Sequence, residues 1–240
     1  MEQKSGCGCG GSESLKDRTR AKYDEQWKEQ DLQGATGRRK ALSMVADPLL
    51  SLVQSLSGKV VVDLGIGTGS LAFRALELSP PKQMVGVDFS APGLCLARSI
   101  SRQPRFEAND IELVRADLER IPLMNRSVDV VLSQATINLL PDKPTAMREI
   151  ARISRPGAKV AISDAFRTVR SECDESWEQC IAGAVTVSEF STLALSAGLI
   201  IAGQVDLTQQ VRSLVSSKRW DWPEFIRHNM DYRAFLMTKS

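Results

Sequence analysis

The sequence holds a single histidine, His228, among 240 residues. One imidazole cannot build a zinc site, and no role follows for it. No apolar run approaches the length of a membrane span. The opening M-E-Q-K-S-G lacks the apolar core of a signal peptide, so none is expected. Neither sign of charge is in excess: 31 basic against 29 acidic residues leave a formal +2. That balance argues against a nucleic-acid or membrane-surface partner. Five cysteines is an odd count in a chain too long to need disulfide staples. Their thiols are expected to be free or directed at a soft ion, in the reducing cytoplasm. No internal repeat is visible. What remains is ordinary for a globular chain with a real core, at 42% hydrophobic and 25% charged residues.

The stretch that organises the rest is Val60–Ser70, V-V-V-D-L-G-I-G-T-G-S. Three β-branched residues run into Asp63, and glycines follow at Gly65, Gly67 and Gly69. This predicts a buried strand, a tight turn and the start of a helix. Glycines there can take positive φ and let a ligand approach the backbone, and the helix start adds unpaired N–H groups. The spacing is neither the dinucleotide G-x-G-x-x-G nor a P-loop. Downstream, Q-M-V-G-V-D predicts a second buried strand ending in Asp88. A carboxylate at that place can accept both hydroxyls of a ribose, or cap the helix beginning at Ser90. Further apolar runs at Ile111–Val114, Ser127–Ser133, Ala158–Ser163 and Ile200–Leu207 alternate with helical stretches at Leu71–Leu78, Ala91–Ser101, Pro144–Ile153 and Val187–Ala197. Such alternation implies a doubly wound α/β fold: a seven-stranded, mostly parallel sheet with helices on both faces and an antiparallel last strand at Tyr232–Thr238. Cys95, between Leu94 and Leu96, reads as a small core residue.

Three parts are expected along the chain: a flexible Cys/Gly tail over 1–14, a helical cover over 15–57, and the main domain over 58–240. In the tail, Cys7 and Cys9 stand two apart and can face one soft ion. In the cover, Gly34-Ala35-Thr36-Gly37 is expected to break the first helix from a second over Arg38–Leu56. Asp47-Pro48 is a candidate kink. Tyr23 and Trp27 are read first as staples of the first helix to the core, and second as part of a cover over a bound ligand. Residues 165–186, with Cys173 and Cys180, are too long for a simple turn and read as an acceptor-facing insertion, as do 208–229. Val211–Asn229, with its K-R-W-D-W-P, has no clear element assignment.

The ordered set Asp63/Gly65/Gly67/Gly69, Asp88, Asp117 and the segment after the fourth strand resembles the class I S-adenosylmethionine-dependent methyltransferases, over roughly 58–165. The resemblance implies S-adenosylmethionine as cofactor. It would be held by those residues with Phe89, Leu118 and Ser133, Asp117 meeting the adenine amino group. Within that superfamily, Ile137-Asn138-Leu139, Pro141-Asp142-Lys143 and Cys180 ahead of Gly183-Ala184 are similar to the arsenite methyltransferases. That likeness implies a small-molecule substrate, trivalent arsenic as a thiol conjugate, bound through cysteine thiolates. Cys180 is the first candidate ligand and catalytic residue, Cys173 the second, and Cys7 and Cys9 the third. Two departures accompany it: Gln134-Ala135-Thr136 stand where members carry a cysteine, and no cysteine follows Cys180. Two other readings share the cofactor site: a methyltransferase for an organic O, N, C or S nucleophile, and a non-catalytic binding or metal-sensing protein. Oligomeric state is not legible.

Overall fold

The computed structural model describes residues 12–107, 109, 111–168 and 181–240, with backbone alone at 12–14 and 36–41. Helices α1 (Ser12–Lys28) and α2 (Leu32–Val53) lead into strand β1 (Val60–Leu64). Then come α3 (Ser70–Leu78), β2 (Gln83–Asp88), α4 (Ala91–Ser101), β3 (Ile111–Arg115) and β4 (Val128–Gln134). A 3-10 turn (Ile137–Leu139) precedes α5 (Lys143–Ile153) and β5 (Ser154–Phe166). The chain closes with α6 (Val187–Ser196), β6 (Leu199–Asp206), α7 (Thr208–Ser216), α8 (Pro223–Arg227) and β7 (Asp231–Lys239).

One seven-stranded sheet runs in the order β3-β2-β1-β4-β5-β7-β6. The first five strands pair in parallel, and β7 lies antiparallel between β5 and β6. The doubly wound reading is therefore borne out. Alternate strand residues feed two cores, as a period of two requires. Val61, Val130 and Ala161 join α2, α3, α4, α7 and α8 on one face. Val62, Val131, Val160 and Ile162 join α5 and α6 on the other. There Phe166, Phe190 and Phe235 meet with centroids 5.0–5.4 Å apart, pinning α6 to β5 and β7.

Three boundaries differ from expectation. The break in the cover falls at residues 29–31, and α2 runs through Gly34 and Gly37. Asp31 caps it, its side chain accepting from Gly34 N at 2.7 Å. Ala35 beside them is fully buried, and that packing outweighs the roughly 1 kcal/mol a helical glycine costs. Pro48 does not end α2 either. The flanking Val45, Leu49 and Val53 are fully buried, and Arg74 grips Asp47 at 2.6 and 2.9 Å. Third, β5 begins at Ser154 rather than Ala158. From Val128↔Ser154 to Val130↔Lys159 the chain advances five positions along β5 against two along β4, so the stretch with Arg155-Pro156-Gly157 bulges. The unassigned stretch holds the later part of α7 and all of α8.

Candidate active site

The sheet turns its winding between β1 and β4, and a cleft of about 820 Å³ opens over the carboxyl ends of the strands there. Ligands in open α/β sheets settle at this place because adjacent connections leave in opposite directions. The loop after β1 forms one wall. Gly65, Gly67 and Gly69 hold φ of +75°, +52° and +88°, all left-handed. Gly65 N and Ile66 N donate to Val87 O at 2.8 and 3.2 Å, tying the loop to β2. A Cβ on Gly65 would stand 2.2 Å from Thr136 Oγ1. Gly69 starts α3, where a Cβ would strike the Phe73 ring at 2.2 Å. Gly65 and Gly67 line the cleft, and Gly69 only shapes the turn behind them.

Three acids stand at the strand ends. Asp63 is buried and accepts from Ala72 N at 3.1 Å. Burial pushes its carboxyl up to about 7, repulsion from Asp88 adds to this, and the Ala72 bond opposes it. Asp88 accepts from Gly67 N at 2.7 Å through one oxygen and from Ser90 N at 2.8 Å through the other. Burial raises its pKa against those bonds. With about four acceptor sites, the carboxylate keeps room for a further donor. The two readings of Asp88 therefore coexist, since the same group fixes the loop, supports the start of α4 and lines the cleft. Asp117 is half-exposed and accepts from Lys16 Nζ at 2.7 Å and from Glu119 N at 2.9 Å. Phe89 and Leu118 add apolar surface beside these acids.

The cover helix α1 lies against the same opening. Lys16 bridges Asp117 and Glu119, and Ser90 Oγ donates to Asp24 at 2.6 Å. Tyr23 and Trp27 line the cleft. Trp27 is 8% exposed and packs on Gly67 and Gly93, whose absent side chains make the room. Trp27 is thus the staple that was expected, and also part of the roof.

A family model described as "Methyltransferase domain" matches residues 55–214, two thirds of the chain. The chain belongs to this methyltransferase family. It is 33% identical over 147 residues to the arsenite methyltransferase of Halobacterium salinarum, covering 59% of this chain and 37% of that one. It is 34% identical over 112 residues to the demethylmenaquinone methyltransferase of Lactiplantibacillus plantarum, covering 46% and 47%. The chain therefore spans less than half the length of these curated relatives. Among solved structures, phosphoethanolamine N-methyltransferase 2 of Haemonchus contortus, in complex with S-adenosyl-L-methionine, superposes with a TM-score of 0.69. The identity there is 18%, over 97% of this chain and 60% of the other, a likeness of fold.

Not every expected site residue of this family member reaches the cleft. Ser133 is fully buried and donates to Leu64 O at 2.9 Å, pinning β4 to β1. Side chains alternate along a strand, so its neighbour Gln134 lines the cleft instead. Cys95 is exposed, not core, because the buried stripe of α4 runs through Gly93, Leu94, Ala97 and Ile100 and skips it. Cys7, Cys9, Cys173 and Cys180 lie outside the described residues. Among the described residues no cluster of His, Cys, Asp or Glu is arranged to hold a metal, and no helix is long and apolar enough to cross a membrane. His228 is exposed beyond α8.

The far wall is formed by Trp220, Asp221, Trp222, Pro223 and Glu224, inside the 208–229 stretch, where sequence reasoning named no individual site residue. The available signal was the pairing of two of the chain's four tryptophans within K-R-W-D-W-P. The Trp220 and Trp222 rings lie 5.1 Å apart, and each meets Tyr232 edge-on from the sheet.

Proposed function

We propose that the chain transfers the methyl group of S-adenosylmethionine to a small-molecule acceptor. The observation that carries this is the Asp88 carboxylate bonded to Gly67 N at 2.7 Å, at the edge of a cleft this wide. That pairing sets an acid with spare lone pairs beside a glycine loop that a nucleoside can approach. When bound, the cofactor supplies a methyl group activated by a sulfonium. The chain's own residues do the rest. Asp88 accepts the ribose hydroxyls, Asp117 the adenine amino group, and Phe89 and Leu118 give the purine apolar faces. Asp63, once ionised, faces the cationic end. Tyr23 and Trp27 exclude water from above. A trivalent arsenic held by thiolates keeps a free lone pair and no proton to lose, so for such an acceptor positioning is the main contribution. On this reading residues 15–57 are the cover, and 165–186 and 208–229 face the acceptor.

For the acceptor, the reading supported best is trivalent arsenic held by thiolates, with Cys180 first, Cys173 second and Cys7 with Cys9 third. Supporting it are the I-N-L and P-D-K segments and the 33% identity to an arsenite methyltransferase. Thiolate is a soft ligand matched to a soft ion. The test is turnover of arsenite with glutathione by wild type and Cys180→Ser. A loss of at least about 100-fold is expected, since a missing ligand misplaces the reacting atom. Equal rates remove Cys180 from the ligand set. An organic acceptor is the second reading, favoured by the wall of Trp220, Trp222 and the carboxylates of Asp221 and Glu224. Turnover of an organic acceptor without turnover of arsenite in either protein selects it.

A further inference from the structure

Among the described residues, three buried side-chain atoms have no hydrogen-bond partner: Gln30 Oε1, Gln134 Nε2 and Arg233 Nε. Of these residues only Gln134 lines the cleft. It ends β4, one step past the Leu64↔Ser133 pair, and so stands level with Gly65 where the sheet changes its winding. The groups around it are already committed. Gln134 O accepts from Thr136 Oγ1 at 3.0 Å, Ala135 N donates to Ser163 O at 2.8 Å, and Ser133 Oγ is held by Leu64 O. Ala135 turns the chain sharply with φ +52°, a conformation that alanine adopts only under constraint. The backbone is thus fixed on both sides of the one amide donor left unused. A buried donor without an acceptor is unfavourable, and native structures keep one where a ligand or functional group completes it.

We propose that the Gln134 carboxamide donates a hydrogen bond to an oxygen of the bound ligand, a carboxylate or other oxygen acceptor seated between β1 and β4. The inference rests on the cofactor reading of the cleft. Two ligands can bring such an oxygen there. One is the cofactor, through the carboxylate of its amino-acid end; the other is an oxygen-bearing methyl acceptor such as arsenite. In either case Gln134 is a binding residue outside the cofactor contacts expected from the sequence.

Three measurements on the full chain test this, with Gln134→Leu and Gln134→Glu as variants. The first is thermal unfolding without ligand. Removing a poised donor leaves the melting temperature of Gln134→Leu equal or higher, whereas removing a structural amide lowers it by several degrees. The second is calorimetric affinity for S-adenosylhomocysteine and for 5′-methylthioadenosine, which lacks the carboxylate. If the cofactor supplies the oxygen, Gln134→Leu weakens the first by about 10- to 100-fold and leaves the second unchanged. Gln134→Glu, which sets like charges together, weakens the first at least as much. The third is arsenite affinity with S-adenosylhomocysteine present, which falls tenfold or more if the acceptor supplies the oxygen. Unchanged affinities for all three ligands, or a lower melting temperature with intact affinities, overturn the proposal. Wild type that binds neither nucleoside overturns the cofactor reading, and this inference with it.

Discussion

Gly65 sits where two independent constraints meet. Its φ of +75° suits a residue without a Cβ, and the space a Cβ would take is filled by the Thr136 side chain at 2.2 Å. Thr136 is not free to leave, since its hydroxyl is bonded to Gln134 O and the chain on either side is tied to β5 and the 3-10 turn. Gly65→Ala is therefore expected to combine backbone strain of about 1–3 kcal/mol with a displaced cleft wall. Urea unfolding should show the loss of stability, and calorimetry with S-adenosylhomocysteine a loss of affinity of at least tenfold. Wild-type values for both would mean that the loop tolerates a side chain. The same scale separates Ser133 from Gln134. They are neighbours in sequence, yet one is spent holding two strands together and the other faces the cleft.

At the scale of elements, the segment resembling the arsenite enzymes turns out to be a latch. Lys143, 6% exposed, starts α5 and donates from Nζ to Asn138 O at 3.3 Å and Leu140 O at 2.9 Å. Asn138, in the 3-10 turn, donates to both oxygens of Asp164 near the end of β5, at 3.1 and 2.9 Å, and to Ala165 O at 2.7 Å. Burial pushes Asp164 up to about 6, opposed by backbone bonds and by the Lys143 charge. The turn after residue 180 is wedged into the same latch: a Cβ on Gly183 would lie 1.9 Å from Asn138 O. Arg167, which follows β5, completes the joint by donating to Ile181 O at 2.7 Å. Lys143 and Asp164 are buried opposite charges in one network, and removing one takes that compensation from the other. Lys143→Met alone is expected to cost about 3 kcal/mol in urea unfolding. Adding Asp164→Asn should recover at least about 1 kcal/mol of that, because the two residues share one network. Strictly additive losses would show that the charges do not interact.

For the whole molecule, buried acids gather at the carboxyl edge of the sheet and set a pH dependence. Asp63 at about 7 and Asp164 at about 6, both raised first of all by burial, hold protons in the fold that the unfolded chain has already released. A raised carboxyl stabilises the fold below its unfolded pKa of about 4, and that contribution is lost as pH rises through the folded value. Elsewhere the sign is reversed. Hydrogen bonds from Thr145, Arg152 and Thr208 hold Asp142, Glu149 and Asp206 below the ordinary carboxylate range. Their contribution is lost as pH falls below about 4. The ligand-free protein is therefore expected to melt highest near pH 5 and progressively lower toward pH 8 (about 1 unit above the higher of the two values). Asp63→Asn, which keeps an oxygen for Ala72 N, should flatten the decline between about pH 5 and 7. A melting temperature that rises steadily through pH 7 would contradict the burial of these charges.

The strands, their parallel winding, the glycine loop and the acids at the strand ends were all legible in the chain. Each is a local pattern: a run of β-branched residues, a spacing of glycines, an acid closing an apolar run. Local patterns carry their meaning within about ten residues. The tertiary structure alone decided what depends on register and on distant packing. It placed β7 between β5 and β6, and it brought Trp220 and Trp222 to the cleft that Gly65 begins. It turned Ser133 inward and Cys95 outward, since one step along a strand or helix changes the face. It also carried α2 through two glycines, because a buried face repays a propensity cost that a single segment cannot.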